Sequence, residues 1–325
     1  MLISFIVISY NTKAYTLACL RSLVQLQTQL SAEESEIWVV DNASKDGSCE
    51  AIASQFPQVK LIRNDRNSGF GAANNLAIRH AKGNIIALVN SDAEYQSGLL
   101  VELLHEFEKK PKLALIGPKV VYPSGKIQTS NNAFPNVWTE FLRITHIAKW
   151  ISSPTLRAWL ARWIAPFAGK SIREYLRVYQ QADETRTVDW VAASIVFFPS
   201  WLVEKGFLFD ERFIMYYEDT DWCKRIRLAG WEIGYCPAMT FSHWADERPG
   251  KKTYNQFTDF ERQKSKLLYF KRYSGKLGYW VLRILLLFQA ILQWVVARPE
   301  QKSSYSKIIR LLVESPSEPS PSIPS

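Results

Sequence analysis

Four short apolar runs, each stopped by a polar turn and each followed by a stretch of helical spacing, constrain this chain more than any other feature. They are residues 3–9, 36–40, 59–63 and 85–89, rich in Val, Ile and Leu. A run apolar on both of its faces suits a strand buried in a parallel sheet, and the alternation of such strands with helices predicts a doubly wound α/β domain. The expected helices are 15–30, 49–56 and a segment ending near His80.

Ligands in open α/β sheets bind beyond the carboxyl ends of the strands, so the residues that close each run are the first candidates for function. The second run ends in Asp41, a hydrogen-bond acceptor for a base or ribose, or simply a turn residue. The fourth ends in Asn90-Ser91-Asp92. Two readings of that triplet stand. Asp92 is a metal ligand delivered by a buried strand, or Ser91 and Asp92 cap a helix over 96–109, since both side chains satisfy free amides at a helix start. Between the third and fourth runs, the segment 64–75 carries Gly69 and Gly71 just before a helix, where glycine lets a backbone approach a ligand closely. Its glycines have neither the number nor the position of a dinucleotide fingerprint.

Further along, 113–122 reads as a strand, 123–126 as a hairpin turn, and 188–198 returns to strand character with small residues in its middle. The segment 206–225 holds Glu218, Asp219 and Asp221 within four positions. Carboxylates that close repel one another, which favours a bound cation or a raised proton affinity in one of them. The same residues also suit the first turn of a helix running to Leu228. Gly230 ends that helix, a strand spans 231–235, and Pro237 precedes the segment 240–244, whose lone His243 is by itself more often structural.

Composition narrows the partners. Forty basic against thirty-one acidic residues give a net charge of +9, and twelve tryptophans accompany them. The positive charge therefore favours phosphates and an anionic membrane surface. It sits with tryptophan in apolar stretches and forms no polar basic arm, so nucleic acid is not an expected partner. Over 137–167, Trp138, Trp150, Trp159 and Trp163 mix with Arg143, Lys149, Arg157 and Arg162, as in basic amphipathic helices that lie in a membrane interface, or in a helical insertion packed on the main domain. Segment 251–272 is basic and aromatic, and 277–297 is apolar but interrupted by Arg283, Gln289 and Gln293. A central arginine favours a helix lying in the cytoplasmic leaflet over a single C-terminal membrane span. The four cysteines lack metal-ligand spacing, and with no secretory signal ahead of the first strand they are expected to be free thiols of a reducing, cytoplasmic compartment. The Ser- and Pro-rich run 315–325 is expected to be disordered.

Val7-Ile8-Ser9-Tyr10-Asn11, Val39-Val40-Asp41-Asn42-Ala43-Ser44, the 67–75 segment, Asn90-Ser91-Asp92 and the whole of 206–225 resemble family-2 glycosyltransferases of the GT-A fold, in particular bacterial rhamnosyltransferase-like members. The resemblance covers about 3–244. It implies a Rossmann-like mixed sheet flanked by helices over 1–250, with a helical insertion at about 137–180 and a membrane-associating helical appendage over 251–314. It further implies an inverting, metal-dependent transfer of a sugar, rhamnose among the candidates, from a dTDP- or UDP-sugar to a hydroxyl of a lipid-linked or polysaccharide acceptor. Ser9, Asn11, Asp41, Asn67, Gly69, Phe70, Asn74, Asn90 and Ser91 then bind the nucleotide sugar. Asp92 and His243 hold Mg²⁺ or Mn²⁺, with Asn90 in place of the first aspartate of the family's Asp-x-Asp element. Asp219 is the base, and Glu218, Asp221 and Trp190 support it or bind the acceptor. The competing reading is a catalytically silent, membrane-associated protein that binds a glycan or polyprenyl phosphate. A nucleotidyltransferase is a third, but the early glycine-rich phosphate loop with a basic residue is missing.

Overall fold

The computed structural model describes residues 2–31, 34–145, 183–249 and 256–314. The chain divides into two compact units, one of Met1–Ala133, Val178–Ile214 and Glu218–Lys251, the other of Phe134–Arg177, Met215–Tyr217 and Lys252–Ser325.

The first unit is built on one mixed sheet. Its parallel half comprises β1 (Ile3–Ser9), β2 (Ser35–Asp41), β3 (Lys60–Arg63) and β4 (Ile85–Asn90), in the order β3-β2-β1-β4. Helices α1 (Lys13–Gln27), α2 (Ser48–Gln55) and α3 (Phe70–Ile78) connect them. Ile3, Phe5, Val7, Ile37, Val39, Ala87 and Val89 lie buried in the main core with Leu20 and Leu23 of α1, which is why these strands read as continuous apolar runs. Because β1 lies between β2 and β4, successive connections leave it in opposite directions and open a crevice at the strand ends. Register aligns those ends: Ser9 pairs with Asp41, and Ile8 with Asn90.

The second half of the sheet departs from the sequence expectation. The helix expected over 96–109 begins only at Leu100, because Ala93–Gly98 forms a strand, β5, before α4 (Leu100–Lys109). Asn90-Ser91-Asp92 thus turns from one strand into another and caps no helix. Gly98, at φ +105°, closes β5 where a Cβ would meet Ala238 O at 2.1 Å, so the position requires glycine. After β6 (Leu113–Val121) the expected hairpin turn is present, with Tyr122 N–H donating to Lys126 O at 2.8 Å. A two-stranded ribbon pairs β7 (Asn131–Asn132) with β9 (Trp190–Val191). The stretch expected as one strand over 188–198 is broken into β8 (Arg186–Val188), β9 and β10 (Ile195–Pro199). Conversely, the two segments expected around Tyr235 and His243 form one strand, β11 (Glu232–His243), whose register slips between Cys236 and Thr240 around Pro237. A proline supplies no N–H for the ladder, so a slip there is its ordinary consequence. β10 runs antiparallel between β4 and β6, and β11 lies parallel to β6 and antiparallel to β5 and β8. The four cysteines are free.

In the second unit, α5 (Val137–Ile144) is the described part of the basic, tryptophan-bearing segment; Lys149, Trp150, Arg157, Trp159, Arg162 and Trp163 lie outside the described residues, as do Lys251 and the 315–325 tail. Glu140 on α5 is buried against Lys266 at 2.6 Å. Lys266 belongs to α7 (Gln256–Tyr273), α6 being the helix of the carboxylate cluster in the first unit, Glu218–Leu228. The apolar segment forms α8 (Gly275–Val296), long and apolar enough by length and composition to cross a membrane, and a further helix, α9 (Pro299–Val313), follows it. Arg283 does not face outward from α8. It is buried, and its guanidinium donates to the carbonyls of Leu312 and Glu314 at the end of α9, with Nε to Leu312 O at 3.0 Å. The arginine thus fastens α9 to one side of α8, while Leu277, Ile284, Phe288 and Val296 on the remainder are each at least 60% exposed.

Candidate active site

The functional residues of the first unit gather at the carboxyl edge of the parallel strands. Asp41 closes β2 and is buried; Oδ1 accepts the Ser44 N–H at 2.8 Å, while Oδ2 has no hydrogen-bond partner among the described residues. A buried, unsatisfied carboxylate oxygen beside a crevice is costly unless a ligand donates to it. Asn11 and Ala43, in the turns after β1 and β2, take positive φ of 51° and 69°. The Asn11 side chain ties the two turns together by accepting the Lys45 N–H at 2.8 Å. Ser9 faces inward, its hydroxyl 3.0 Å from that of Thr16, so its side chain fixes α1 to the sheet.

The 64–75 segment is organised by amides. Asn42 Nδ2 donates to Asn67 Oδ1 at 2.8 Å, and the Asn42 Oδ1 accepts from Asn64 and Ser68. Asn74 Nδ2 donates to Phe70 O at 2.9 Å, and the Phe70 ring meets Phe209 edge-on. The close approach that Gly69 permits is to protein: at φ +88°, its Cβ would lie 2.7 Å from Ile214 O. Asn75, which the sequence did not mark, clamps the same region by exchanging two 2.9 Å hydrogen bonds with the backbone of Phe209. These residues therefore hold the segment 209–214 against α3.

Across the crevice, antiparallel pairing of His243 with Ala93 sets the imidazole beside Asp92. Asp92 Oδ1 lies 3.2 Å from His243 Nε2, and Asn90 Nδ2 lies 3.3 Å from the same nitrogen. Gln128, in the chain after the hairpin turn, accepts from His243 Nδ1 at 2.8 Å, which directs the Nε2 lone pair toward Asp92. The Asn90 amide donates to that lone pair, and a proton or a metal ion between Nε2 and Oδ1 would further relieve its repulsion with the carboxylate. Two cis ligands of one ion with bonds of ~2.1 Å lie about 3 Å apart. The pair fits a divalent ion of which the protein supplies two donors; among the described residues no cluster of three His, Cys, Asp or Glu side chains joins here. Magnesium-type sites are commonly completed by substrate phosphates and water. Ser91 turns its hydroxyl to Thr12 at 3.1 Å and supports the turn. The other Asp92 oxygen accepts from Arg248 Nη2, a partner with no signal in the sequence. Burial works to raise the Asp92 proton affinity, but the His243 hydrogen bond and the charges of His243 and Arg248 outweigh it and hold the carboxyl well below its ordinary range.

The second carboxylate cluster opens α6. Trp222, Cys223 and Ile226 bury one face of this helix, Trp222 packing on Phe198 and Phe209 and donating Nε1–H to Phe207 O at 2.9 Å. Asp221 is wholly buried and bonded to Arg225 at 2.8 Å, which places it in the helix's own support. The chain enters the helix through Tyr216 and Tyr217, both at φ +65°, a conformation that bulky residues rarely adopt and that concentrates at functional sites. Burial raises the Asp219 proton affinity, and the N–H groups of Thr220 at 2.7 Å and Ala193 at 3.3 Å oppose that rise. Glu218 is pushed well above the carboxylate range by burial and then by the Asp219 charge, and its Oε2 has no hydrogen-bond partner among the described residues. The residue after Ala193, Ser194, accepts the Asn90 N–H at 2.7 Å, so two short steps of backbone link Asp219 to the triplet of Asp92. Trp190, on the neighbouring ribbon, donates Nε1–H to Ala133 O at 3.0 Å.

Residues 4–157 match the model of glycosyl transferase family 2. These residues resemble a family 2 glycosyltransferase domain. An N-acetylglucosaminyl-diphospho-decaprenol L-rhamnosyltransferase of Mycobacterium tuberculosis is 23% identical over 226 residues, 66% of this chain and 68% of the relative. Among solved structures, GalNAc-T7 with UDP, GalNAc and Mn²⁺ superposes with a TM-score of 0.56 at 14% identity, over 96% of this chain and 56% of that one. A mannosyltransferase of Pyrobaculum calidifontis with GDP-Man and Mn²⁺ gives 0.52 at 15% identity, over 96% and 80%. The domain has the GT-A fold, as its mixed sheet and strand order already indicated. The expected Asp41, Asn90, Asp92, His243 and Asp219 share this sheet edge, whereas Asp221, Ser9 and Gly69 serve the frame that holds it.

The Glu218 environment predicts a pH signature in stability. Its folded proton affinity exceeds its unfolded one, so its contribution is fully present below the ordinary glutamate value and is lost as pH rises through the raised one. Glu218→Gln, which keeps the shape without the charge, should match the parent in melting temperature near pH 4. The variant should become progressively more stable than the parent as pH rises, by at most about 1.4 kcal/mol per pH unit. Thermal unfolding followed from pH 4 to 9 measures this; a difference independent of pH would contradict the assignment.

Proposed function

We propose that this protein is an inverting, metal-dependent glycosyltransferase that moves a sugar from a nucleoside-diphosphate donor to a hydroxyl of a lipid-linked or polysaccharide acceptor. The observation that carries the reading is the pairing of Asp92 with His243 at one sheet edge, with the Asp219 carboxylate accepting from Ala193 N–H in the turn that leads into β10. Bound there, a divalent ion supplies charge neutralisation for a departing nucleoside diphosphate. Asp41 orients the nucleoside through its unsatisfied oxygen. Asp92 and His243 fix the diphosphate end. Asp219 accepts the proton of the acceptor hydroxyl as that oxygen attacks the anomeric carbon from the face opposite the leaving group, and the configuration inverts. Glu218, neutral beside it, leaves the negative charge on Asp219 and so divides two adjacent carboxyls between two roles.

The mycobacterial relative's decaprenol-linked substrate supports a lipid-linked acceptor here, and its rhamnosyl specificity makes a dTDP- or UDP-sugar the donor to test first. Such an acceptor resides at the inner face of the cell membrane, and α8 has the character to meet it there. With Arg283 withdrawn into the contact with α9, the helix offers Leu277, Ile284 and Phe288 outward, and Trp280 and Trp294 remain partly exposed at either end. An apolar stripe with interfacial tryptophans on a cationic chain suits a helix lying in an anionic leaflet.

Asp219→Asn should lower transfer by roughly 10²-fold or more, since general-base catalysis contributes about 10²–10⁴-fold. Donor affinity should stay unchanged, because Asp41, Asp92 and His243 are intact. Steady-state transfer and nucleotide-sugar titration on one preparation decide it; a loss under about tenfold with the fold intact would move the base to Glu218. For the membrane, the folded protein should float with anionic vesicles at low salt, and Ile284→Ser with Phe288→Ser should leave it in the unbound fraction. Equal flotation of parent and variant would remove α8 from the interface.

A further inference from the structure

Arg248 stands where the proposed metal chemistry needs a carboxylate free of cations. Its Nη2 donates to Asp92 Oδ2, and its Cζ lies 5.0 Å from the centroid of the Tyr15 ring, so carboxylate and aromatic face together fix the guanidinium. Trp244 meets the edge of the same ring at 5.5 Å and is anchored through its N–H to Asp92 O at 3.0 Å. Arg248 Nε is buried with no hydrogen-bond partner among the described residues. A guanidinium carries five donors, and one of these is already committed to Asp92 while a buried one still lacks an acceptor. The arrangement is a built cation site in which the protein's own arginine is the cation.

We propose that Arg248 makes metal and diphosphate binding conditional on one another. This rests on the reading of Asp92 and His243 as metal ligands. A divalent ion shared by Asp92 Oδ1 and His243 Nε2 lies beside a fixed positive charge, and the repulsion weakens binding of the ion by itself. A diphosphate brings the negative charge that reverses this balance, and its oxygens are the acceptors that the unpartnered Arg248 Nε lacks. The ion then binds well only with the nucleotide, and the nucleotide well only with the ion. By linkage the two couplings are equal in size. The consequence is discrimination: a free divalent ion does not occupy the site alone, and a sugar lacking a diphosphate does not recruit one.

The test is a titration of the full-length protein with Mn²⁺, free ion being read by electron paramagnetic resonance, alone and with saturating UDP, dTDP or inorganic pyrophosphate. Arg248→Gln should bind Mn²⁺ alone about tenfold or more tightly than the parent, as expected when a neighbouring charge at low effective dielectric is removed. The same variant should gain less from added diphosphate, the coupling falling by about tenfold or more. Arg248→Lys, which keeps the charge, should resemble the parent with Mn²⁺ alone, and it serves as the comparison should the glutamine variant prove unstable, since a lysine variant that binds bare Mn²⁺ tightly overturns the proposal. Equal Mn²⁺ affinity and equal coupling in parent and Arg248→Gln also overturn it. Asp92→Asn separates the premise from the proposal: if it binds Mn²⁺ with diphosphate as the parent does, the metal reading itself fails.

Discussion

The antiparallel register that sets His243 opposite Ala93 is the constraint on which the site depends. It exists because the chain after Asp92 continues as β5, not as a helix, and because β11 is long enough to run from its pairing with β6 to a second pairing with β5. A slip of one residue would turn His243 to the other face of the sheet, away from Asp92. The slip at Pro237 and the glycine at position 98, which admits the Ala238 carbonyl, occur in the stretch where β11 passes from one partner to the next. The backbone irregularities of this half of the sheet thus converge on the placement of one imidazole.

Around that edge, carboxylates of the same chemistry are divided by environment. Asp92 is kept ionised by His243 and Arg248 despite its burial. Glu218 and Asp219 are moved the opposite way, because burial in their case is opposed only by backbone and hydroxyl donors. A carboxylate that stays charged suits a cation, and one whose proton affinity is raised suits proton transfer. The separation of the proposed ligand from the proposed base is therefore a property of what surrounds each group and requires no difference in residue type. It also costs stability: an unsatisfied Glu218 oxygen beside two positive-φ tyrosines is what a frame built only for rigidity would avoid.

The parallel half of the sheet was legible in the sequence because β1, β2 and β4 are largely buried on both faces and so advertise themselves as apolar runs. The position of Asp41 and Asp92 at the crevice was legible for a related reason, since each stands at the end of such a run, where a turn or cap residue fits as well. The second half was not. Ala93–Gly98 contains Glu, Gln and Ser and carries no strand signal; its pairing with β11 is a long-range event that local spacing does not encode. Pro237 divided β11 into two apparent segments for the opposite reason, a local signal overridden by pairing on either side of it. Asp221 looked equal to Glu218 and Asp219 in the sequence, and only the helix phase shows that it faces Arg225. Gln128 and Arg248 gave no signal at all, because their roles arise from contacts 115 and 156 residues away in the chain.

The proposed divalent ion between Asp92 and His243, held there for a nucleoside diphosphate, is open to direct observation. Crystals grown with Mn²⁺ and UDP or dTDP, with data collected at the manganese absorption edge, test it most directly. The account predicts one anomalous peak within about 2.3 Å of both Asp92 Oδ1 and His243 Nε2, with diphosphate oxygens completing its coordination and the nucleoside against Asp41. A diphosphate bound at this edge with no manganese at Asp92, or manganese bound away from His243, would contradict it.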